Sequence, residues 1–146
     1  ALSQCTAKEI LIESFISGEE ITVAVLHSEA LPAISIKPKT DFFDLEAKYT
    51  KGMTEYLAPS PLEESIVSNA KAQARAAYAS LEMSGIARAD FIVSPSGIPH
   101  FLEINASPGM TETSLCPMAA KCVGIDFEEL IVSILESAQL HNHFEK

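Results

Sequence analysis

RADFIVSPSGIPHFLEIN, residues 88–105, is the stretch that decides how this chain folds. Two apolar-rich runs flank Pro95-Ser96-Gly97, a turn sequence, so the segment reads as a β-hairpin. Side chains alternate faces along a strand, so Arg88 and Asp90 share a face, as do Glu103 and Asn105. A four-residue connection from Pro95 to Ile98 sets Asp90 opposite Glu103 and Arg88 opposite Asn105. All four polar groups then point one way, and Phe91, Val93, Leu102 and Ile104 point the other way as core. A register shift of two residues preserves this sorting. A slip of one would bury carboxylates in the core, which is costly.

Two carboxylates held this close repel unless something neutralises them. A hard divalent cation does so through oxygen ligands, here Asp90, Glu103 and the amide of Asn105. Magnesium usually keeps positions open for water and substrate phosphates. Arg88 is placed to stabilise charge on a transferring phosphoryl group. Taken alone, the hairpin is explained as well by a surface ladder with ordinary salt bridges. Asn105-Ala106-Ser107-Pro108-Gly109-Met110-Thr111 follows directly and leads into a helix start. Ser114 is a candidate cap for that helix, and Pro117 falls in its first turn, where proline is tolerated. Free amides at a helix N-terminus attract anions, and Gly109 lets the backbone approach a ligand closely. Glycine-bearing turns before helices are common, so this segment is suggestive rather than decisive.

Upstream, Ser60-Pro61-Leu62-Glu63 reads as a helix start with a serine cap and a returning glutamate. Ile66, Val67, Ala70, Ala74, Tyr78 and Leu81 then recur at helical spacing, with Gly85 as the stop. Residues 9–16 (EILIESFI) and 20–27 (EITVAVLH) read as strands joined through Ser17-Gly18, and residues 33–37 as a third strand. Between Pro38 and Pro59 no period emerges. Ordered loops of that length are often lids or binding loops, and Lys48 and Tyr49 lie inside this one. Downstream, a helix is expected over 115–123 with Gly124 after it. Asp126 and Glu129 form a capping box for a last helix, whose buried stripe is Ile131, Ile134, Leu135 and Ala138. Strands, loop, helix, hairpin and helices in that order predict an α+β domain with a mostly antiparallel sheet.

With 146 residues, 47% of them apolar and 21% charged, the chain is sized for one domain with its own core. A net charge of −10 disfavours nucleic acid as a partner. No apolar run approaches the roughly 20 residues that span a bilayer, and no export signal is seen. Cys5, Cys116 and Cys122 are odd in number and form no C-x-x-C pair, so they read as reduced thiols of a cytoplasmic protein. His141 and His143 read as a chance surface pair. The initial residue is alanine, which fits a processed or excised chain.

FLEINASPGMTETSLCPMAA resembles the signature of the D-alanine–D-alanine ligases, members of the ATP-grasp superfamily. ARADFIV resembles the metal-bearing strand before it. DFFDLEAKYTKGMTEY resembles that family's mobile active-site loop, and EILIESFISGEEITVAVL its nucleotide-binding hinge and next strand. The resemblance covers nearly all of residues 1–146 in the family's order, as the C-terminal half of an ATP-grasp fold. It implies that Asp90, Glu103 and Asn105 bind two magnesium ions, with manganese as a substitute, that bridge the phosphates of ATP. It implies that Arg88 and Gly109 hold the tetrahedral intermediate, and that Ser114 and Leu115 contact the D-alanine carboxylate. Lys48 would reach the phosphates while Tyr49 closes the pocket. Glu13, with the backbone of Phe15 and Ile16, would read adenine, and Glu20 would hold the ribose. Without the resemblance, Lys48 reads as a solvated lysine and Glu13 and Glu20 as strand-edge charges. Ser14 departs from a lysine common beside adenine, and Ala106 from a common threonine. The family's N-terminal domain and the first ATP-grasp half, with its glycine-rich phosphate loop, have no counterpart here. The resemblance therefore implies a cytoplasmic ligase of peptidoglycan precursor synthesis, homodimeric when whole, of which this chain alone is expected to be inactive. A related ligase with another acceptor, such as a D-hydroxy acid, and a non-catalytic nucleotide-binding module are the alternatives.

Overall fold

The computed structural model describes residues 12–38 and 54–138. Its sheet contains β1 (Glu19–Leu26), β2 (Glu29–Ala30), β3 (Ile34–Pro38), β4 (Thr54–Leu57), β5 (Ile86–Val93) and β6 (Pro99–Asn105). The strand order is β4-β3-β1-β5-β6, with β2 paired to β1, and every described pairing is antiparallel. Helices α1 (Glu64–Ser80), α2 (Leu115–Lys121) and α3 (Phe127–Glu136) complete the domain. This is the α+β architecture the sequence predicts.

Period-two alternation sends Ile21, Val23 and Val25 of β1, and Ala87, Ala89, Phe91 and Val93 of β5, to one face. There they meet Val67, Ala70, Ala74 and Tyr78 of α1. Ala70 and Ala74 are fully buried, and side chains that small bring the helix close to the sheet. The opposite face is divided along β1. Ala24 and Leu26, with Ile34 and Ile86, are covered by Cys116, Ala119 and Ala120 of α2 and Leu130 of α3. Glu20 and Thr22 lie on that same face, ahead of the helix-covered part, and it is this end of the sheet that carries the polar residues of the hairpin.

Several expectations are corrected. The predicted strand over 9–16 falls partly outside the described residues, and its described part, 12–16, has no strand structure. Ile12 and Phe15 there are 86% and 93% exposed, so the apolar pattern meets no packing surface among the described residues. Instead β1 forms its tight hairpin with β2 across His27 and Ser28, both at positive φ, as two-residue turns require. The long stretch without a period contains β4, which pairs on the edge of β3. Backbone bonding, not an apolar stripe, makes that strand. Residues 39–53 of the stretch lie outside the described residues.

Ser60 does not cap α1. Its hydroxyl lies 2.9 Å from that of Ser35 and accepts from the Leu62 amide, tying the chain to β3. The helix begins three residues later than a Ser60 cap would set, with Glu63 at the cap position. It ends at Ser80, and Leu81 stays exposed. Gly85 instead opens β5, with φ +67 and a carbonyl that accepts from the His27 amide and the Tyr78 hydroxyl. α2 stops at Lys121 rather than Val123. The capping box of Asp126 and Glu129 forms as predicted, with both reciprocal bonds present. The buried side of α3 is centred on Leu130, however. Ile131 and Ile134 are half-buried, while Leu135 and Ala138 are exposed.

The corrected stripe has a direct consequence for stability. Leu130→Ala removes a fully buried side chain and is expected to cost about 2–5 kcal/mol in urea unfolding. Leu135→Ala is expected to stay within about 0.5 kcal/mol of the parent. Equal losses from the two substitutions would contradict this packing.

Candidate functional site

The hairpin adopts the expected register at the polar end: Arg88 pairs with Asn105 and Asp90 with Glu103. All four side chains therefore project from one face, on neighbouring strands. Beyond Asp90 the register slips, so that Phe91 faces Phe101 instead of Leu102. The two rings meet edge to face at a centroid distance of 5.6 Å. Leu102 is the extra residue of this bulge and is 49% exposed, which removes it from the predicted core set. Phe91, Val93 and Ile104 keep their places in the core.

Asp90 is buried and held from two sides. Arg88 donates Nε to Oδ1 at 2.9 Å and Nη2 to Oδ2 at 2.8 Å, a fork in which both oxygens are engaged. From β1, directly opposite, the Thr22 hydroxyl donates to Oδ1 at 2.7 Å. The bond to Asp90, with the negative charge of Glu103 adding in the same sense, raises the guanidinium of Arg88 above its ordinary range and keeps it cationic. Glu103 itself is exposed, and Asn105 is half-buried. The Asn105 side-chain oxygen accepts from the Ser107 amide at 2.8 Å, fixing the amide's orientation and starting the turn that follows.

That turn runs to Ser114, the residue before α2. Ser114 occupies the cap position, but its hydroxyl makes no capping bond to the helix. It bonds backward instead, accepting from the Thr111 amide at 3.0 Å and meeting the Thr111 hydroxyl at 2.8 Å. A Cβ on Gly109 would sit 3.3 Å from the Ser114 oxygen, so the glycine is held against this hydroxyl. Leu115 is half-buried and packs against the core under α2.

Among the sequence-predicted site residues, the structure gathers Arg88, Asp90, Glu103 and Asn105 on one face and sets Glu20 on that face too, two residues from Thr22. Gly109, Ser114 and Leu115 follow from the end of β6. Glu13, Phe15 and Ile16 belong to the irregular segment before β1, where Glu13 and Phe15 are exposed. Lys48 and Tyr49 lie outside the described residues. Thr22 was not singled out by sequence. Threonine is an ordinary strand residue, and only its pairing with Asp90 distinguishes it.

The donor set suits a hard cation: two carboxylates and an amide oxygen, with no sulfur or imidazole. The carboxylate of Asp90 keeps one lone pair on Oδ2 after its three hydrogen bonds. Among the described residues, no group of three or more His, Cys, Asp or Glu side chains converges on one point, so a cation here depends on the asparagine and on phosphate or water ligands.

An antiparallel sheet of this order, with an acid–amide hairpin leading through a glycine turn into a short helix, defines the C-terminal domain type of the D-alanine ligases. Residues 2–136 match the family described as the D-ala D-ala ligase C-terminus, and the chain belongs to that family. It is 46% identical over 131 residues to a D-alanine–D-alanine ligase of Syntrophotalea carbinolica, an alignment covering 90% of this chain and 43% of that protein. A D-alanine–D-alanine ligase of Methylacidiphilum infernorum is 47% identical with the same coverage. The chain thus spans less than half the length of the curated relatives it matches. Among solved structures, the D-alanine–D-alanine ligase of Bacillus anthracis complexed with ATP aligns with a TM-score of 0.72 at 37% identity, covering 86% of this chain and 41% of that one. The D-Ala:D-Ser ligase VanG of Enterococcus faecalis aligns at 0.71 and 28% identity, covering 84% and 36%.

Beneath the site, Cys116 of α2 is fully buried, and burial pushes its thiol up to about 12, partly offset by Arg88. An unfolded cysteine ionises near 8.5. Between that value and about 12 the folded chain therefore holds one proton more than the unfolded chain, and stability falls as pH rises through this window. Iodoacetamide at pH 8.5 is expected to modify exposed Cys122 and spare Cys116 until the chain unfolds, as read by peptide mass mapping. Rapid labelling of native Cys116 would refute the buried placement.

Proposed function

We propose that this chain is the C-terminal part of an ATP-dependent ligase that joins two D-alanines for peptidoglycan precursor synthesis in the cytoplasm. The observation that carries the reading is the register that sets Asp90 against Glu103 and Arg88 against Asn105 on one open face. Membership of the family and similarity to a ligase complexed with ATP support it. No described helix is long and apolar enough to cross a membrane.

In this reading Asp90, Glu103 and Asn105 hold magnesium, or manganese in its place, which when bound supplies charge neutralisation for the phosphates of ATP. Glu20 binds the ribose hydroxyls, and Glu13 with the backbone of Phe15 and Ile16 binds adenine. Lys48 reaches the phosphates, and Tyr49 helps exclude water from the pocket. Ser114 and Leu115 orient the carboxylate of a D-alanine. The carboxylate of one D-alanine attacks the γ-phosphorus of ATP, the bond to ADP breaks, and an acyl phosphate forms. The amine of the second D-alanine attacks the acyl carbon. Arg88 and the Gly109 backbone stabilise the negative oxygen of the tetrahedral species, which collapses with release of phosphate. The remainder of the ligase supplies the rest of the nucleotide and substrate sites, and the whole enzyme is a homodimer.

Phosphate release with ATP and D-alanine tests the reading, measured on the chain alone and on the chain joined behind the N-terminal part of one of its ligase relatives. The chain alone is expected to be silent and the joined enzyme active. Asp90→Asn and Glu103→Gln are each expected to lower kcat by about 100-fold or more. A joined enzyme that keeps its rate with Glu103→Gln would remove the chemical basis of the assignment. Preference for D-serine over D-alanine as acceptor would move the chain to the specificity in VanG's name, and preference for D-lactate to a ligase that takes a D-hydroxy acid.

A further inference from the structure

We propose that Thr22 is a positioning residue for the cation site: its hydroxyl locks the Asp90 carboxylate so that only Oδ2 remains available to an ion. This inference rests on the reading of Asp90, Glu103 and Asn105 as that site. It names a residue on a different strand, outside the acid–amide set.

Thr22 is 2% exposed, on the site face of β1, directly across the ladder from Asp90. A valine would fill the same volume and suit a buried strand at least as well. What distinguishes the threonine is one hydroxyl proton. Two acceptors lie within reach, Asp90 Oδ1 at 2.7 Å and the Ala89 carbonyl at 3.2 Å. The nearer acceptor is charged, and charge-assisted bonds are the shorter and stronger, so the proton goes to the carboxylate.

The count of lone pairs then fixes how Asp90 can act. A carboxylate offers about four acceptor sites, two on each oxygen. Oδ1 takes Arg88 Nε and Thr22 Oγ1, and Oδ2 takes Arg88 Nη2. One site is left, on Oδ2. Arg88 alone would allow the carboxylate to offer either oxygen, because its fork treats the two alike. Thr22 breaks that symmetry. Its short β-branched side chain is stiff about χ1, and it sits on a strand paired with both β3 and β5, so the donor does not drift. The result is a single acceptor position left on Asp90, on the strand that pairs it with Glu103. Loss of such outer-shell hydrogen bonds typically weakens metal affinity by about 10–100-fold.

The test is Mn2+ binding by the full chain, followed through the paramagnetic resonance signal of the free ion, together with thermal melting. Thr22→Val is expected to weaken Mn2+ binding by about tenfold or more, with a melting temperature within a few degrees of the parent. Thr22→Ser, which restores the hydroxyl, is expected to return affinity to within about twofold. In the joined ligase, Thr22→Val is expected to lower kcat while leaving KM for D-alanine unchanged. Thr22→Val binding Mn2+ as tightly as the parent, while Asp90→Asn and Glu103→Gln bind poorly, would overturn the role of Thr22 and leave the cation site standing. Thr22→Ser no better than Thr22→Val would overturn it as well, since the hydroxyl would then be immaterial. Equal Mn2+ binding by the parent, Asp90→Asn and Glu103→Gln would remove the cation site and this proposal together.

Discussion

Two carboxylates on facing positions of adjacent strands set the terms for the rest of the domain. Directly paired side chains lie about 5 Å apart at Cβ, close enough for like charges to be unfavourable unless compensated. The fold supplies that compensation from within the ladder. Arg88, two residues before Asp90 and on the same face, grips both of its oxygens, and Thr22 adds a third donor from the next strand. The helices obey the same constraint. α2 and α3 pack their apolar residues on the apolar part of this face, around Ala24, Leu26, Ile34 and Ile86, while α1 packs on the opposite face, where β1 and β5 present Ile21, Val23, Val25, Ala87, Ala89, Phe91 and Val93.

Much of this arrangement is legible in the sequence, because strand alternation leaves little freedom. Once Phe91, Val93 and Ile104 are assigned to the core, Asp90, Glu103 and Asn105 have one face left to occupy. The capping box at Asp126 is equally legible, since both of its bonds are local. What escapes is tertiary. Ser60 has the right neighbours for a cap, but Ser35, on β3, captures its hydroxyl. β4 owes its existence to an unpaired edge on β3, which no local pattern reports. Leu135 has helical spacing but looks away from the sheet, and Leu130 takes the buried place. Thr22 looks like any strand threonine until its partner across the ladder is known.

The candidate site divides in the same way. The hairpin residues are brought together because they share one local element. Glu20 joins them through pairing of β1 with β5. Glu13, Phe15 and Ile16 precede the first described strand, and nothing in the local pattern fixes their side chains relative to Asp90. The family match spans these residues as well, so the roles proposed for them rest on kinship alone, while those proposed for the hairpin draw also on geometry.

The extra residue at Leu102 carries a consequence of its own. Because the ladder changes phase between Asp90 and Phe91, the acid–amide end of the hairpin and its turn end are paired in different registers. The turn from Ser94 to Ile98 closes through its own hydrogen bonds. Three paired positions, Phe91 with Phe101, Ile92 with His100 and Val93 with Pro99, stand between it and Glu103. The register that sets Asp90 against Glu103 is therefore not the one in which the turn end is paired.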